Sequence, residues 1–337
     1  MTHPTFQKGG FDLNDSISAL LRLLPFPAVY AADPPIASPM LTKLLSAADC
    51  ALFFSDPAQV PDHLAIGDSV YSLTPSPEDP ALIFLTLRNQ IDHVDENGAL
   101  QKFLTDVATP LSNLVLMGSM LGRSEVPPKA IPYIDQMRRT TDQITRLHYN
   151  ATPQPASFEL EHLPELIRDT LGYVGYYMPE LSLSFREEGM GDPYVTLSRP
   201  HVEGLILNLL SEILSLSDRS APLPAFTFTL RHRESPCLLV HVDSSSIPFR
   251  DVEHLLFDPT PTSFGFLFIR RACSLHMGTL LLRKDGNGGF TFTFTFPRRE
   301  DHPTPIGNFL APYSGYEQAR MLLSNHLDLS CYQNVKR

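Results

Sequence analysis

The stretch from Ser263 to Phe296 decides the fold, and it reads SFGFLFIRRACSLHMG (263–278), TLLLRKDGNGG (279–289) and FTFTFTF (290–296). In the last piece four phenylalanines alternate with three threonines, which is typical of a strand with one buried face. Thr279–Arg283 also has the composition of a strand. The glycine-rich Asp285–Gly289 between the two strands predicts a hairpin connection.

The segments before this hairpin extend it to a larger α/β unit. Phe226–Leu230 and Cys237–Val242 are predicted strands. Phe158–Tyr177 predicts a helix that follows a short strand, and His201–Leu216 is apolar over so wide a face that we expect a buried helix. Residues 156–298 are therefore predicted to form an α/β sandwich, with helices on one face of a mixed sheet.

Residues 96–155 show two helical patterns on either side of Pro127–Pro128. Each pattern has a seam in which spacings of three and four alternate: Leu104, Val107, Leu111, Leu114, Gly118 and Leu121 in the first, and Ile134, Met137, Thr141, Ile144 and His148 in the second. The short loop predicts an antiparallel hairpin. Because one hairpin cannot bury both seams, we expect a homodimer with a four-helix bundle.

The two ends of the chain are predicted as smaller units. Residues 1–95 combine a helical pattern with three strand-like runs, which indicates a small α+β domain. Its position before a helical hairpin suggests a PAS-like sensor, and another small α+β domain fits equally well. In the tail, residues 299–337, Tyr316–Leu327 has an amphipathic pattern. That helix packs on its own domain or docks a partner, and the first is the expectation.

Composition excludes several classes of function. The net charge of −11 argues against binding to nucleic acid or to an anionic membrane. The four cysteines are scattered and form no CxxC pair, and the twelve histidines form no metal-ligand pattern. No stretch has the roughly 18 apolar residues that span a bilayer, and the N-terminus lacks the pattern of a secretory signal. We therefore expect a cytoplasmic protein without a metal site.

Five motifs resemble those of the sensor histidine kinase family, in the family's order, over roughly residues 100–297. They are similar to the H box (Phe103–Leu111), the N box (Asn208–Leu214), the iFdpF element (Leu256–Pro259), the second glycine box with its helix (Ser263–Gly278) and the last strand (Phe290–Pro297). The resemblance implies an α+β protein in which the helical hairpin dimerises and the sandwich is a GHKL-type ATPase domain.

The phosphoacceptor of that family is missing. Autophosphorylation needs an imidazole nitrogen that attacks the γ-phosphate of ATP. In an ungapped alignment Thr109 stands at the histidine position and Pro110 at the acidic position that follows. Threonine cannot form a phosphoramidate, so transfer of the histidine-kinase type is not expected.

The ATP site of the family is also eroded. Asn208 is retained, but Glu212 stands at the second N-box asparagine, and the adenine box has shrunk to Asp243–Ile247 without its glycines. The lid is reduced to Thr260–Thr262. Gly265 survives, but Ser263 and Phe264 replace the first Gly-Leu of the glycine box, and Phe266 and Phe268 add bulk where the site would open. A glutamate can ligate magnesium, yet we expect neither ATP nor magnesium as a cofactor.

One further position bears on function. Asn113 lies one helical turn after Thr109, where the resemblance implies a residue that orients water toward an aspartyl-phosphate. An exposed polar residue is the alternative interpretation. The expected function is a pseudokinase scaffold that binds a response regulator or a kinase-type protein. A phosphatase acting through Asn113, a kinase with an unconventional site and a purely ligand-binding sensor are the alternatives.

Overall fold

The computed structural model describes most of the chain. It covers residues 13–24, 26–56, 60–67, 69–77, 79–90, 107, 111–115, 117–118, 127–218, 220–233, 235–244, 246–257, 263–285, 289–297 and 315–332. In this part of the chain no helix is both long and apolar enough to cross a membrane. Thr109, the Thr260–Thr262 segment and most of the first predicted hairpin helix lie outside the described residues.

The described elements alternate between strands and helices. The strands are β1 (Ala28–Tyr30), β2 (Ile36–Ala37), β3 (His63–Ile66), β4 (Ser69–Pro75), β5 (Leu82–Gln90), β6 (Glu159–His162), β7 (Leu183–Glu188), β8 (Tyr194–Leu197), β9 (Ala225–Arg231), β10 (Cys237–Asp243), β11 (Thr279–Lys284) and β12 (Phe290–Thr295). The helices are α1 (Leu13–Arg22), α2 (Ala47–Phe54), α3 (Ile131–Ala151), α4 (Leu163–Tyr177), α5 (Arg199–Leu216), α6 (Phe249–Phe257), α7 (Phe264–Leu275) and α8 (Gly315–Leu322). Short 3-10 turns cover Pro128–Ala130 and Leu329–Tyr332.

Ten of these strands form one mixed sheet in the order β2-β1-β5-β4-β3-β11-β12-β10-β9-β7. The pair β7 and β9 is parallel, and the other neighbours are antiparallel. The strand predicted for the Phe–Thr alternation is present, and Phe290, Phe292 and Phe294 are at most 1% exposed and lie in the main core. The expectation of a single buried face is wrong, because Thr293 and Thr295 on the other face are only 4% and 1% exposed. The mixed α+β architecture predicted from the sequence is thus present.

The N-terminal strands continue the C-terminal sheet directly. Strand β3 pairs antiparallel with β11, and Leu281 lies opposite Leu64. Because side chains alternate between the faces of a strand, Leu281 enters the N-terminal apolar core while Leu282 enters the main core. The Arg283 guanidinium also donates to the carbonyls of Leu52 and Phe53 at the end of α2. The sequence analysis did not predict this pairing.

The C-terminal helix packs within the chain. It ends at Leu322 rather than at the predicted Leu327, and a turn follows. The apolar positions predicted for it are nevertheless buried, including Ala319, Leu323 and Leu327. Helix α8 contacts α3, α4 and α5. The expectation that this segment packs on its own chain is confirmed for the described residues.

Helix α3 has two different faces. Ile144, in the predicted seam, is 39% exposed in the single chain. The buried face is mostly polar, and its residues follow helical spacing: Asp142, Thr145, Arg146, Tyr149 and Asn150. Near the start of the helix, Arg138 donates from Nε to the carbonyl of Gly118 at 3.2 Å. The polar face of α3 packs against α5, and the candidate site lies between these two helices.

Candidate functional site

Helix α5 forms the centre of the site. Every residue from His201 to Leu214 is buried, as its wide apolar face predicted. Its polar side chains must therefore be satisfied by neighbouring helices. Asn208, Ser211 and Glu212 find their partners on α3 and at the start of α7.

Asn208 is paired with Asn150 of α3. The Asn150 amide donates to Asn208 Oδ1 at 2.6 Å, and Asn208 Nδ2 donates back to Asn150 Oδ1 at 3.0 Å. Asn208 Nδ2 also donates to the Gly204 carbonyl one turn earlier in α5, at 3.0 Å. With Asn208 fully buried and Asn150 only 1% exposed, the amide oxygen of the retained N-box asparagine is taken by another side chain.

Glu212 is bound from both sides. Arg146 Nη2 donates to Glu212 Oε1 at 3.0 Å, and Ser263 Oγ donates to Oε2 at 2.8 Å. Arg146 also donates to Ser211 Oγ at 3.1 Å. Burial lowers the pKa of the Arg146 guanidinium, and the Glu212 carboxylate opposes that shift. Both carboxylate oxygens therefore have a partner from within the chain.

Gly265 lets α7 approach this carboxylate. A Cβ at Gly265 would lie 2.1 Å from Glu212 Oε1 and 2.6 Å from its Cγ. Ser263, which caps the N-terminus of α7 by accepting from the Phe266 amide, is the same residue that donates to Glu212. The retained glycine therefore serves helix packing in this chain.

An aromatic stack fills the space beside Asn208. Phe268 of α7 stacks on Tyr149 of α3 at 5.4 Å between ring centroids and on His201 of α5 at 6.0 Å. A Cβ at Gly204 would lie 2.7 Å from the Phe268 ring, so only a glycine admits the ring there. Phe266 and Phe268 are at most 3% exposed, so both rings are part of the core.

The remaining predicted residues lie apart from this cluster. Asp243 is exposed at the end of β10, opposite Ala225 of β9, while Ser244 after it is buried. Asn113 is exposed in the helical residues 111–115. The structure thus brings together Asn208, Glu212 and Gly265 and leaves the other two outside.

Sequence reasoning missed the two residues that complete the cluster, Arg146 and Asn150. They are four residues apart on α3, and Glu212 and Asn208 are four apart on α5 in the opposite chain direction. Such matched i, i+4 pairs are what two antiparallel helices present to each other. The i, i+4 spacing of Arg146 and Asn150 is visible in the sequence. The predicted seam of α3, however, lies on a different face of the helix.

The oxygens of the cluster that could bind magnesium already have partners within the chain. A magnesium ion needs free carboxylate or amide oxygens in octahedral geometry, and those of Asn208 and Glu212 are occupied. Among the described residues no group of three or more His, Cys, Asp or Glu side chains is arranged to hold a metal ion. What the arrangement does is join three helices through one satisfied polar network.

Among the comparisons with known proteins, the one with solved structures found similarity. No protein-family model matches the chain, and no curated protein matches it. The structure of full-length ShkA in complex with AMPPNP is similar with a TM-score of 0.47 and 12% identity, over 59% of this chain and 45% of ShkA. The chain thus spans less than half the length of ShkA.

Two further similar structures are of histidine kinases. The Acinetobacter baumannii histidine kinase AdeS gives a TM-score of 0.39 at 14% identity, over 57% of this chain and 95% of AdeS. Histidine kinase ThkA in complex with response regulator protein TrrA gives 0.41 at 15% identity, over 84% of this chain and 98% of the ThkA chain. In its sequence motifs and in its structural neighbours alike, the chain is similar to the sensor histidine kinases.

Proposed function

We propose that this protein is a histidine kinase-like scaffold of two-component signalling that does not phosphorylate itself. The observation that carries the proposal is the filled polar face of α5, where Arg146 and Asn150 occupy Glu212 and Asn208. Opening that face would leave the buried charge of Arg146 or Glu212 unpaired, which is strongly unfavourable. Nucleotide binding would therefore have to displace a helix as well as compete for ligands.

The acceptor side of the reaction supports the same proposal. Thr109, at the family's histidine position, has no nitrogen that could accept a phosphoryl group. The chain would then lack both the nucleophile and the means to present ATP to it. The features that remain for function are helical surfaces that can bind partners and an N-terminal α+β part that can receive a signal.

The proposed partners are a second copy of the chain and a response-regulator-like or kinase-type protein. Helix α3 presents apolar residues outward, with Ile144 39% and Leu147 49% exposed, and a homodimeric four-helix bundle would cover them. TrrA, which is bound to ThkA in the structure above, is a response regulator. We propose the same kind of partner here, and a PAS-like sensor role for strands β1–β5 with α2 against one face.

Phosphotransfer from radiolabelled ATP tests the proposal. The purified protein is expected to take up no label and to give no heat of binding with millimolar magnesium-ATP in calorimetry. A Thr109→His variant restores the nucleophile and is still expected to stay unlabelled, because the face of α5 remains filled. Label on either protein would contradict the proposal, and an active histidine kinase assayed alongside shows that the conditions support transfer.

A phosphatase acting on an aspartyl-phosphate is the second candidate, and the exposed Asn113 side chain is accessible to such a partner, as this role requires. Orienting a water needs neither a histidine nor ATP. Dephosphorylation of a phosphorylated response regulator should slow by about tenfold or more in Asn113→Ala, whereas the neighbouring exposed Ser112→Ala should keep the original rate. Equal rates in both variants would remove this candidate.

A further inference from the structure

We infer that residues 315–332, called here the clasp, form a releasable strap that holds α3 against α5. The clasp comprises α8, the turn after it and the 3-10 turn Leu329–Tyr332. The inference rests on the proposed function in one respect, since it concerns what keeps Arg146 and Asn150 on the face of α5.

Most of the hydrogen bonds between the clasp and α3 involve arginines. Arg320 donates from Nε to Asp142 Oδ2 at 2.8 Å, and its guanidinium lies over the ring of Tyr332 at 5.8 Å. Arg138 Nη1 donates to the Tyr332 carbonyl at 3.0 Å. Arg139 donates to the carbonyls of Ser324 and Asn325 at 3.3 and 3.4 Å. These contacts lie along the half of α3 that precedes Arg146 and Asn150.

The same segment is attached to α5 at both ends of the site. Gln318 Nε2 donates to the Pro200 carbonyl at 3.0 Å, in the first turn of α5, and to Tyr149 Oη at 3.2 Å. At the other end, His326 Nε2 lies 2.9 Å from the Ser211 carbonyl, next to Glu212. The clasp therefore bridges the two helices whose side chains meet in the polar cluster.

Two observations indicate that the clasp can open without unfolding the core. Within the described residues, three of its buried polar atoms have no hydrogen-bond partner, namely Gln318 Oε1, Ser324 Oγ and Tyr332 Oη, and each of them costs free energy in the closed state. A surface cavity of about 620 Å³ also lies beside the turn of the clasp, with Arg139, Leu214, Asn325 and His326 in its lining. Opening would also expose buried apolar side chains such as Leu322 and Leu323, so the inference requires that this cost stays below the free energy of global unfolding.

Hydrogen exchange followed by mass spectrometry tests the inference on the full chain. Arg320→Asp places a second carboxylate against Asp142 and should detach the clasp. Exchange of amides in residues 138–150 and 315–332 is expected to rise by at least about tenfold, while β9 and β10 keep their protection. The charge swap Asp142→Arg with Arg320→Asp restores the ion pair and should bring exchange in both segments back toward the original rate.

Arg231→Asp is the matched control. Arg231 also donates from Nε to a carboxylate at 2.8 Å, that of Glu188, and its side chain is 35% exposed against 39% for Arg320. This control should leave exchange in α3 and in the clasp unchanged. If exchange in Arg320→Asp does not rise, or rises in β9 and β10 to the same extent, the clasp is part of the core and the inference is wrong.

The outcome can be separated from that of the proposed function. Nucleotide binding by the original protein would contradict the scaffold and leave the exchange result intact. Unchanged exchange in Arg320→Asp would contradict the inference of a releasable clasp, and it would not affect the interpretation of the ATP experiments.

Discussion

Arg146 Nη2 of α3 lies 3.0 Å from Glu212 Oε1 of α5, and the two side chains are only 8% and 11% exposed. An ion pair this well buried is costly to form and costly to break, because each charge has lost most of its water. Its position is informative, since Glu212 occupies the second N-box position of the resemblance. Arg146, which belongs to another helix of the chain, occupies the carboxylate at that position.

Replacing one partner of this pair should destabilise the protein far more than replacing both. Arg146→Met leaves the Glu212 carboxylate buried with Ser263 as its remaining partner, and we expect a loss of about 3–5 kcal/mol in the free energy of unfolding. The double variant Arg146→Met with Glu212→Met removes both charges and should lose about 2 kcal/mol or less. Urea denaturation of the original protein, the single variants Arg146→Met and Glu212→Met and the double variant measures the difference, and additive losses would show that the pair is not coupled.

Gly265 should be intolerant of even one added carbon. Glu212 cannot move away from a Cβ at Gly265, because Arg146 and Ser263 hold both of its carboxylate oxygens. We expect Gly265→Ala to lower the free energy of unfolding by about 1–3 kcal/mol. Gly172 of α4 is the matched control, since nothing lies within 4 Å of its added Cβ.

In Gly172→Ala the same change should stabilise the protein by about 0.5–1 kcal/mol, because alanine favours a helix over glycine. A second check is the double variant Gly265→Ala with Glu212→Ala, in which the clash is gone. Gly265→Ala should then cost less than it does in the original chain. Equal changes in the free energy of unfolding for Gly265→Ala and Gly172→Ala would mean that Glu212 moves away from the added Cβ at little cost.

His201 should make stability depend on pH in the acidic range. Burial, with a further contribution from His276, lowers the pKa of His201 from 6.5 to about 4. Below pH 6.5 the unfolded chain binds a proton at His201, whereas the native state binds it only near pH 4. The contribution of His201 to the free energy of unfolding is therefore complete above pH 6.5 and is lost as pH falls toward 4. Between pH 7.5 and 5 the loss is about 2 kcal/mol.

The comparison for His201 is a glutamine variant. His201→Gln keeps a polar side chain beside Ser198, whose Oγ lies 2.8 Å from His201 Nδ1, but it cannot titrate. Free energies of unfolding at pH 7.5 and 5 should differ by about 2 kcal/mol less in this variant than in the original protein. Identical pH dependence in the two proteins would exclude His201 as the titrating group.

Local patterns were enough to predict most of the individual elements. The Phe–Thr alternation of 290–296 predicted a strand whose phenylalanines point to one side, and the wide apolar face of 201–216 predicted a buried helix. Both signals arise within a few residues of chain, where side-chain period alone decides which face is buried. Short elements with weaker patterns escaped prediction, among them α2 and the edge strand β7.

The long-range contacts were beyond the same reasoning. Nothing in the sequence of β3 indicates that Leu64 lies opposite Leu281, more than 200 residues later, because strand pairing depends on how two units dock. The candidate site divides in the same way. Asn208, Glu212 and Gly265 were found through the resemblance, whereas their partners Arg146 and Asn150 follow only from how α3 packs on α5.

The junction between β3 and β11 gives a last prediction, which uses two neighbouring leucines. Leu281 and Leu282 are 1% and 2% exposed, but they point to opposite faces of β11 and enter different cores. Truncation of either to alanine should cost about 2–5 kcal/mol locally. Leu281→Ala should raise hydrogen exchange mainly in β3 and β4, and Leu282→Ala mainly in β9, β10 and α5. If both variants loosen the two regions equally, the N-terminal strands and the C-terminal sheet unfold as one cooperative unit, and an input at the first would be felt directly by the second.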